Sequence, residues 1–250
     1  MSTIAIAGLH AKYTLLETVR IPIAVIGTLV FPALSLLFFV VPQRTVAEDP
    51  NFATQAVISL AVFAVMSNQL FSFGLGISED REKPWYPYLR TLPAPPLARV
   101  LGTVLATGLF GIAAIIPVVI IGATLTEAEA SVGGILLGFV ALILSALPFA
   151  FVGVSIGYTL PSKAAIAVVQ IVMFGLAFAG GLFLPPFIFA EWLNNLSKFL
   201  PSRQARELVI WAVQGGELEP WVWIGVVAWT AVTLVLAVFL FRRDEGRRYR

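Results

Sequence analysis

Six apolar segments, each long enough to cross a membrane as a helix, constrain the fold of this chain more than any other feature. A helix needs about 20 apolar residues to span a hydrocarbon core of roughly 30 Å. None of the six contains Asp, Glu, Lys, Arg or His, and a charge at membrane depth costs about 2.5–3.5 kcal/mol or more. The sequence therefore predicts an all-α integral membrane protein with six transmembrane helices. The predicted spans are residues 21–41, 52–77, 100–125, 132–160, 164–184 and 221–241.

The composition excludes a soluble domain and several classes of site. The mean hydropathy is +0.93 and 12% of the residues are charged, against about a quarter in soluble domains. With no Cys and a single histidine, His10, the chain offers no disulfide framework, no thiolate and no histidine cluster for a metal. No linker is long enough to separate domains, so residues 1–250 are expected to form one transmembrane domain.

Basic residues are concentrated in alternate connecting segments, which predicts the orientation of the chain. Twelve Lys and Arg residues lie in the segments on the same side as the two termini, and four lie in the other segments. Cytoplasmic segments of membrane proteins carry the excess of Lys and Arg. Both termini and the segment after the second span are therefore predicted to be cytoplasmic.

The segment after the second span, "SEDREKPWYPYLR" at residues 78–90, carries six charges. Its plainest interpretation is topological, because a charged loop keeps the neighbouring spans in place. Acidic residues contribute little to orientation, however, and mixed charges followed by Trp and Tyr residues favour a surface that contacts a partner. The residues alone leave both interpretations open.

This segment and the adjoining "LRTLPAPPLARVLG" at residues 89–102 resemble the permease subunits of ATP-binding-cassette exporters of the type-two superfamily, which export drugs, lipids and polysaccharides. In that family the loop carries a short coupling helix that docks on an ATPase subunit. Pro84 and Trp85 stand where Gly-Thr is usual, so the subfamily and the substrate are not determined. The ATPase-coupling residues that the resemblance implies are Glu79, Asp80, Arg81, Glu82, Lys83 and Arg90.

The segment before the last span resembles the family's extracellular segment, in which helices dip partly back into the membrane. Between residues 189 and 200, apolar side chains recur at helical spacing on one face and polar side chains on the other, as in a helix lying along a membrane interface. Phe189, Trp192 and Leu196 are the candidate extracellular gate residues. The alternative is an ordinary amphipathic surface helix without a gating role.

The N-terminal segment predicts a second interfacial helix, on the cytoplasmic side. Leu9, Tyr13, Leu16 and Arg20 share one helical face before the first span. In the family a helix at this position contributes to the ATPase contact.

The spans contain uncharged polar residues that need partners in lipid. Asn68 and Gln69 lie deep in the second span, and Gln170 lies within the fifth. They are candidates for a substrate pathway between two protomers, or else they form hydrogen bonds between helices. Two G-x-x-x-G spacings in the fourth span, at residues 134–138 and 153–157, favour close contacts inside one protomer over dimerisation.

The chain lacks the usual means of driving transport by itself. It has no G-x-x-x-x-G-K-[ST] loop to hold nucleotide phosphates, and its spans lack the ionisable residues that ion-driven carriers and intramembrane enzymes use. The resemblance implies a separate ABC-type ATPase, which binds ATP and Mg²⁺, and a second permease protomer, identical or different. No catalytic, metal or cofactor site is expected in this chain.

The function that the resemblance implies is export of a hydrophobic or amphipathic molecule, as in multidrug efflux, across the cytoplasmic membrane of a prokaryote. Membrane lipids are a further expected partner, and nucleic acid is not. An ATP-independent carrier or channel is the first alternative class, and an intramembrane enzyme is the second.

Overall fold

The computed structural model describes residues 2–20, 22–85, 88 and 96–247, with the backbone alone at 22–28, 96–100 and 245–247. The described residues form helices and connecting turns, with no strand among them. The α-helices are α1 (Thr3–Val19), α2 (Pro22–Ser35), α3 (Arg44–Ala47), α4 (Pro50–Gln69), α5 (Gly76–Glu82), α6 (Pro96–Leu125), α7 (Val132–Thr159), α8 (Ser162–Ala179), α9 (Glu191–Ser197), α10 (Pro201–Gln214) and α11 (Pro220–Arg247). Two π-helical segments, Leu36–Val40 and Leu70–Leu75, continue α2 and join α4 to α5.

Five helices in the described part of the chain are long and apolar enough to cross a membrane. They are Pro50–Glu82, Leu101–Leu125, Val132–Thr159, Ser162–Ala179 and Pro220–Asp244. They agree with the second to sixth predicted spans. The first predicted span falls on α2 and its π-helical continuation. The residues of this region whose side chains are described form a shorter apolar helix, Leu29–Val40. The all-α membrane architecture is confirmed, and the count of six spans stays a prediction.

The ends of the spans follow from local capping chemistry. Asp49 accepts hydrogen bonds from the backbone N–H groups of Asn51 (2.9 Å) and Phe52 (3.0 Å), and Pro50 occupies the first turn of α4. A carboxylate before the first turn and a proline within it both favour a helix start. The start of this span is therefore encoded by two neighbouring residues, Asp49 and Pro50.

Contacts between residues far apart in sequence sort the connecting segments into two ends of the bundle. Arg81 of α5 pairs with Asp244 of α11, and Lys83 pairs with Glu17 of α1, so the end of α1 and the end of α11 both lie beside α5. At the opposite end, the Gln214 side chain donates to the Asn51 side chain at 2.9 Å. We call these the inner end, which the charge count predicts to be cytoplasmic, and the outer end.

Helix α4 lies at the centre of the bundle, where it packs against α2, α6, α7 and α10. In the most apolar stretch of the span Pro50–Glu82, 67% of the residues are buried inside the protein, against 17% in the corresponding stretch of α11. Phe63 and Met66 of α4 are fully buried, as is Leu70 at the start of the π-helical segment that follows it. The second predicted span is thus the core helix, and α11 is peripheral.

Both G-x-x-x-G spacings of α7 bring other helices of the same protomer close, as predicted. A Cβ atom added at Gly138 would lie 2.5 Å from Val213 of α10, and one added at Gly157 would lie 2.7 Å from Ile77 of α5. A Cβ added at Gly153 would lie 3.0 Å from the Gln69 carbonyl oxygen and 3.1 Å from the Phe73 side chain of the π-helical segment. These glycines therefore hold α7 against α10 at one end and α5 at the other.

Helix α1 packs along the beginning of α6 through small residues. Ala7 and Ala11 are buried, and a Cβ added at Gly102 of α6 would lie 2.9 Å from the Ala7 carbonyl oxygen. The opposite face, which carries the predicted set beginning at Leu9 and ending at Arg20, is exposed. An exposed apolar face on a helix beside the spans suits a position along the membrane interface.

Candidate coupling site at the inner end

The charged residues after the second span lie on the end of the span's own helix. Helix α5 follows the π-helical segment without a break, so Glu79, Asp80, Arg81 and Glu82 occupy consecutive helical positions. Successive side chains on a helix point about 100° apart. The four charges therefore point in four directions, and the charged part of the predicted coupling helix extends the span rather than forming a separate helix.

Arg81 points into the protein rather than towards a partner. Its guanidinium donates to the Gly157 carbonyl oxygen at the end of α7 (2.8 Å) and to Asp244 Oδ1 of α11 (2.6 Å). The side chains of Arg81 and Asp244 are only 17% and 7% exposed. The guanidinium carbon also lies 5.8 Å from the centre of the Tyr158 ring. These contacts occupy Arg81 inside the protomer.

Glu82 caps the beginning of α8. Its carboxylate accepts hydrogen bonds from the Ser162 backbone N–H (2.9 Å) and from the Ser162 hydroxyl (2.6 Å). Pro161, which precedes the helix, has no side-chain group for this purpose, and the first N–H groups of a helix need an acceptor. Glu82 is exposed, yet its carboxylate is held by its own protomer.

Lys83 connects α5 to the N-terminal helix. Its ammonium lies 2.7 Å from Asp80 Oδ1 and 3.4 Å from Glu17 Oε1 of α1. Burial lowers the pKa of Lys83, but the hydrogen bond and charge of Asp80, with a contribution from Glu17, outweigh burial and raise the pKa above its ordinary value. Lys83 is therefore charged at neutral pH and holds α1 beside α5.

The remaining part of the segment presents exposed acidic and aromatic side chains. Glu79 and Asp80 are exposed on α5, and Trp85 and Tyr88 are 55% and 64% exposed. Arg90 lies outside the described residues. Of the six implied coupling residues, Glu79 and Asp80 thus lie on the surface, while Arg81, Glu82 and Lys83 make contacts to α11, α8 and α1.

A small cavity of about 300 Å³ lies beside this site, between α5 and the turn from α7 to α8. It is lined by Ser78, Arg81, Glu82, Thr159, Leu160 and Pro161. Within the described ranges, no three His, Asp or Glu side chains lie close enough together to hold a metal ion.

The three span amides have different surroundings. Asn68 is 1% exposed and its Nδ2 donates to the Thr107 carbonyl oxygen of α6 at 2.9 Å. Gln69 is half-buried, and Gln170 is exposed on the outside of α8. Asn68 therefore bonds two helices of one protomer, whereas Gln170 points away from its own bundle.

The candidate gate residues lie at the outer end, in a short helix and in the connection before it. α9 ends at Ser197, so it is shorter than the amphipathic pattern from 189 to 200 predicts, and a 3₁₀ turn, Pro186–Ile188, precedes it. Trp192 and Leu196 are 68% and 50% exposed, and Phe189 is half-buried in the connection before the helix. The aromatic and aliphatic surface that they form faces away from the bundle.

Arg206, one of the four basic residues in the segments opposite the termini, is buried between α10 and α4. Its guanidinium donates to Ser59 (2.8 Å), Gln55 (3.1 Å) and Glu207 (2.6 Å). Burial lowers the pKa of Arg206, and the Glu207 carboxylate opposes that effect. Its position at the edge of the apolar face of α10 was the only signal of burial in the sequence.

Comparison with known proteins places this architecture in a family. A family model described as ABC-2 type transporter matches residues 9–213, from α1 to the end of α10. The chain belongs to the ABC-2 type transporter family. The "Putative transport permease YvfS" of Bacillus subtilis (strain 168) is 21% identical over 224 residues, which cover 89% of this chain and 91% of that protein.

Membership of the ABC-2 family sets the class of function. The chain is a multi-pass membrane permease, and its role is transport across the membrane rather than enzymatic catalysis. Permeases of this family work in general with an ABC ATPase subunit.

Proposed function

We propose that this ABC-2 permease is the membrane-spanning subunit of an ATP-driven exporter and that a separate ATPase docks on the exposed surface of Glu79, Asp80, Trp85 and Tyr88. The main support for this proposal is the arrangement of α5. Glu79 and Asp80 are exposed on this helix, whereas Arg81 and Glu82 form hydrogen bonds with other helices of the same protomer. A docking surface transmits force only if it is fixed to the parts that must move. The ATPase holds the ATP and Mg²⁺ in this proposal.

The cargo of the proposed exporter is a hydrophobic or amphipathic molecule leaving the cytoplasm of a prokaryote. The six apolar segments contain no ionisable residue, so walls built from them offer no counter-charge to a small ionic cargo. The same feature supports an energy source outside the chain, because an ion gradient is used through ionisable groups at membrane depth.

The outward-facing amide of α8 supports a paired permease. An amide exposed to lipid leaves its hydrogen-bonding groups without partners, and Gln170 lies on the exposed face of α8. We propose that this face of α8 lies towards a second protomer and borders the cargo pathway. Asn68 contributes to the shape of the pathway only indirectly, through the contact of α4 with α6.

Co-purification tests the docking surface. The wild-type permease, purified from its host membranes in mild detergent, is expected to carry a polypeptide with a Walker-type phosphate loop and to hydrolyse ATP. The double variant Glu79→Lys/Trp85→Ala should lose that polypeptide. Glu127→Lys/Trp192→Ala is the matched control, because it changes an exposed acid and an exposed Trp at the outer end.

Two results would contradict the docking proposal. If the wild-type permease carries no bound ATPase, the chain is not the subunit of an ATP-driven exporter. If Glu79→Lys/Trp85→Ala binds the ATPase as the wild type does, the docking surface lies elsewhere.

Disulfide crosslinking tests the pairing of protomers. The chain has no native Cys, so Gln170→Cys introduces a single thiol on the exposed face of α8. Oxidation in native membranes should yield a species of twice the mass. Val169→Cys is the matched control, since Val169 is fully buried one position away. Equal crosslinking of both variants, or of neither, would contradict the proposed interface.

A further inference from the structure

Arg81 joins three helices through one side chain. It extends from α5 and donates to the carbonyl oxygen of Gly157 in α7 and to the carboxylate of Asp244 in α11. A guanidinium is planar and presents its N–H donors in a fixed fork. Two hydrogen bonds in two directions from this rigid group therefore fix the position of α5 relative to the inner ends of both other helices.

The Arg81–Asp244 pair is more shielded from water than the ion pairs that Lys83 makes. The Arg81 and Asp244 side chains are 17% and 7% exposed, whereas those of Lys83 and Glu17 are 31% and 65% exposed. Charges shielded from water attract one another more strongly, and exposed pairs contribute little. Tyr158 lies against the guanidinium and packs edge-on against Phe241 of α11, with ring centres 5.2 Å apart.

Helix α11 is the least buried of the five candidate spans in the described part of the chain. Only 17% of its apolar window is buried, and it packs along α7 and α10. The Arg81–Asp244 pair therefore ties the most peripheral span to the helix that carries the proposed docking surface.

We propose that Arg81 is a positioning residue that transmits movement of α5 to α7 and α11, and that it takes no part in binding the ATPase. This inference rests on the proposed function. Breaking the Arg81–Asp244 pair should then uncouple ATP hydrolysis from movement of α11 while the ATPase stays docked.

The experiment uses the permease in complex with its ATPase and a spin label on α11. Val227 is 62% exposed on α11, and Val227→Cys gives a single attachment site because the chain has no other Cys. The electron paramagnetic resonance spectrum is recorded before and after addition of ATP and vanadate. Asp244→Asn removes the charge and keeps the shape, and Asp244→Glu restores a carboxylate. Glu48→Gln is the control, since it breaks the exposed pair with Arg44.

The expected results separate transmission from docking and from stability. The labelled parent and Glu48→Gln should show an ATP-dependent spectral change. Asp244→Asn should retain the bound ATPase and its hydrolysis of ATP but lose the spectral change, and Asp244→Glu should recover it. If Asp244→Asn does not accumulate in the membrane, Arg81→Lys takes its place, because Lys keeps the charge and lacks the fork.

Three outcomes would overturn the inference. A full spectral change in Asp244→Asn would make the pair a purely structural contact, and loss of the ATPase from that variant would place Arg81 in the docking surface. A labelled parent that binds the ATPase but shows no spectral change on addition of ATP would show that α11 does not move. Failure of the proposed function is distinguishable, because the parent would then bind no ATPase.

Discussion

At the scale of single residues, Asn68 and Gln170 carry the same chemical group in opposite surroundings. Asn68 is buried and donates to the Thr107 carbonyl oxygen, while Gln170 is exposed on α8. A hydrogen bond between helices in a membrane protein contributes on the order of 1 kcal/mol. The two amides should therefore differ in what their removal costs the isolated permease.

We expect Asn68→Ala to lower the free energy of unfolding by about 1–2 kcal/mol, because it removes a buried hydrogen bond and leaves a void. Gln170→Ala should leave the stability of the protomer unchanged within about 0.5 kcal/mol. Unfolding by sodium dodecyl sulfate in mixed micelles, followed by tryptophan fluorescence, measures both. Equal destabilisation by the two changes would contradict this division.

Arg206 is the residue whose loss should cost most. Its three side-chain partners lie on α4 and α10, and it is 4% exposed. Removing one member of a buried charged network costs about 3–5 kcal/mol, so Arg206→Ala should lower the unfolding free energy by that amount. Arg44→Ala, which breaks an exposed pair, should cost about 0–1 kcal/mol in the same assay. A loss below that of Arg44→Ala would show that α10 is held by its apolar contacts alone.

At the scale of elements, glycines decide how closely the helices of the bundle approach. The π-helical segment Leu70–Leu75 lies against Gly153 and Gly157 of α7. A side chain at either position would push α7 away from the helix that leads into α5. Close packing of α7 and the second span therefore sets where Arg81 can reach the end of α7.

Gly157→Ala should destabilise the permease by about 1–3 kcal/mol, because its Cβ would lie 2.7 Å from both Ile77 and the Phe73 carbonyl oxygen. Gly133 lies in the same helix with nothing within 4 Å of an added Cβ, so Gly133→Ala should be neutral or stabilising by up to about 1 kcal/mol. The fluorescence assay used for Asn68→Ala applies here. Similar behaviour of both variants would argue against tight packing at Gly157.

At the scale of the whole molecule, the structure has two distinct ends. The inner end collects α1, α5 and the end of α11, and the outer end collects α9, α10 and the connection before α7. This arrangement agrees with the separation that the charge count predicts, but the side of the membrane on which each end lies stays a prediction.

Thiol labelling of single-cysteine variants measures that orientation. Glu217→Cys, in the exposed connection before α11, should react with a membrane-impermeant maleimide in intact cells. Glu79→Cys, exposed at the inner end, should react only after the cells are permeabilised. The physical reason is the excess of Lys and Arg in segments of the inner end. The reverse pattern would contradict the predicted orientation.

The amino-acid sequence by itself determined the membrane class, the five described helices that are long and apolar enough to cross a membrane, the close approach of the α7 glycines to other helices of the protomer and the exposed face of α1. These properties depend on local composition and periodicity, because a hydrocarbon environment selects for runs of apolar residues whatever lies elsewhere in the chain. The resemblance to a family also rested on local motifs, and the family match confirms it.

Only the tertiary structure decided which charges are available to a partner. Arg81 pairs with a residue 163 positions away and Arg206 with one 147 positions away, so no local pattern distinguishes them from Glu79 or Asp80. The direction of each side chain on α5 depends on the rotation of the whole second span, including its π-helical segment. That rotation is set by the packing of the buried helix against its neighbours, because close-packed side chains and glycine contacts leave little freedom to turn.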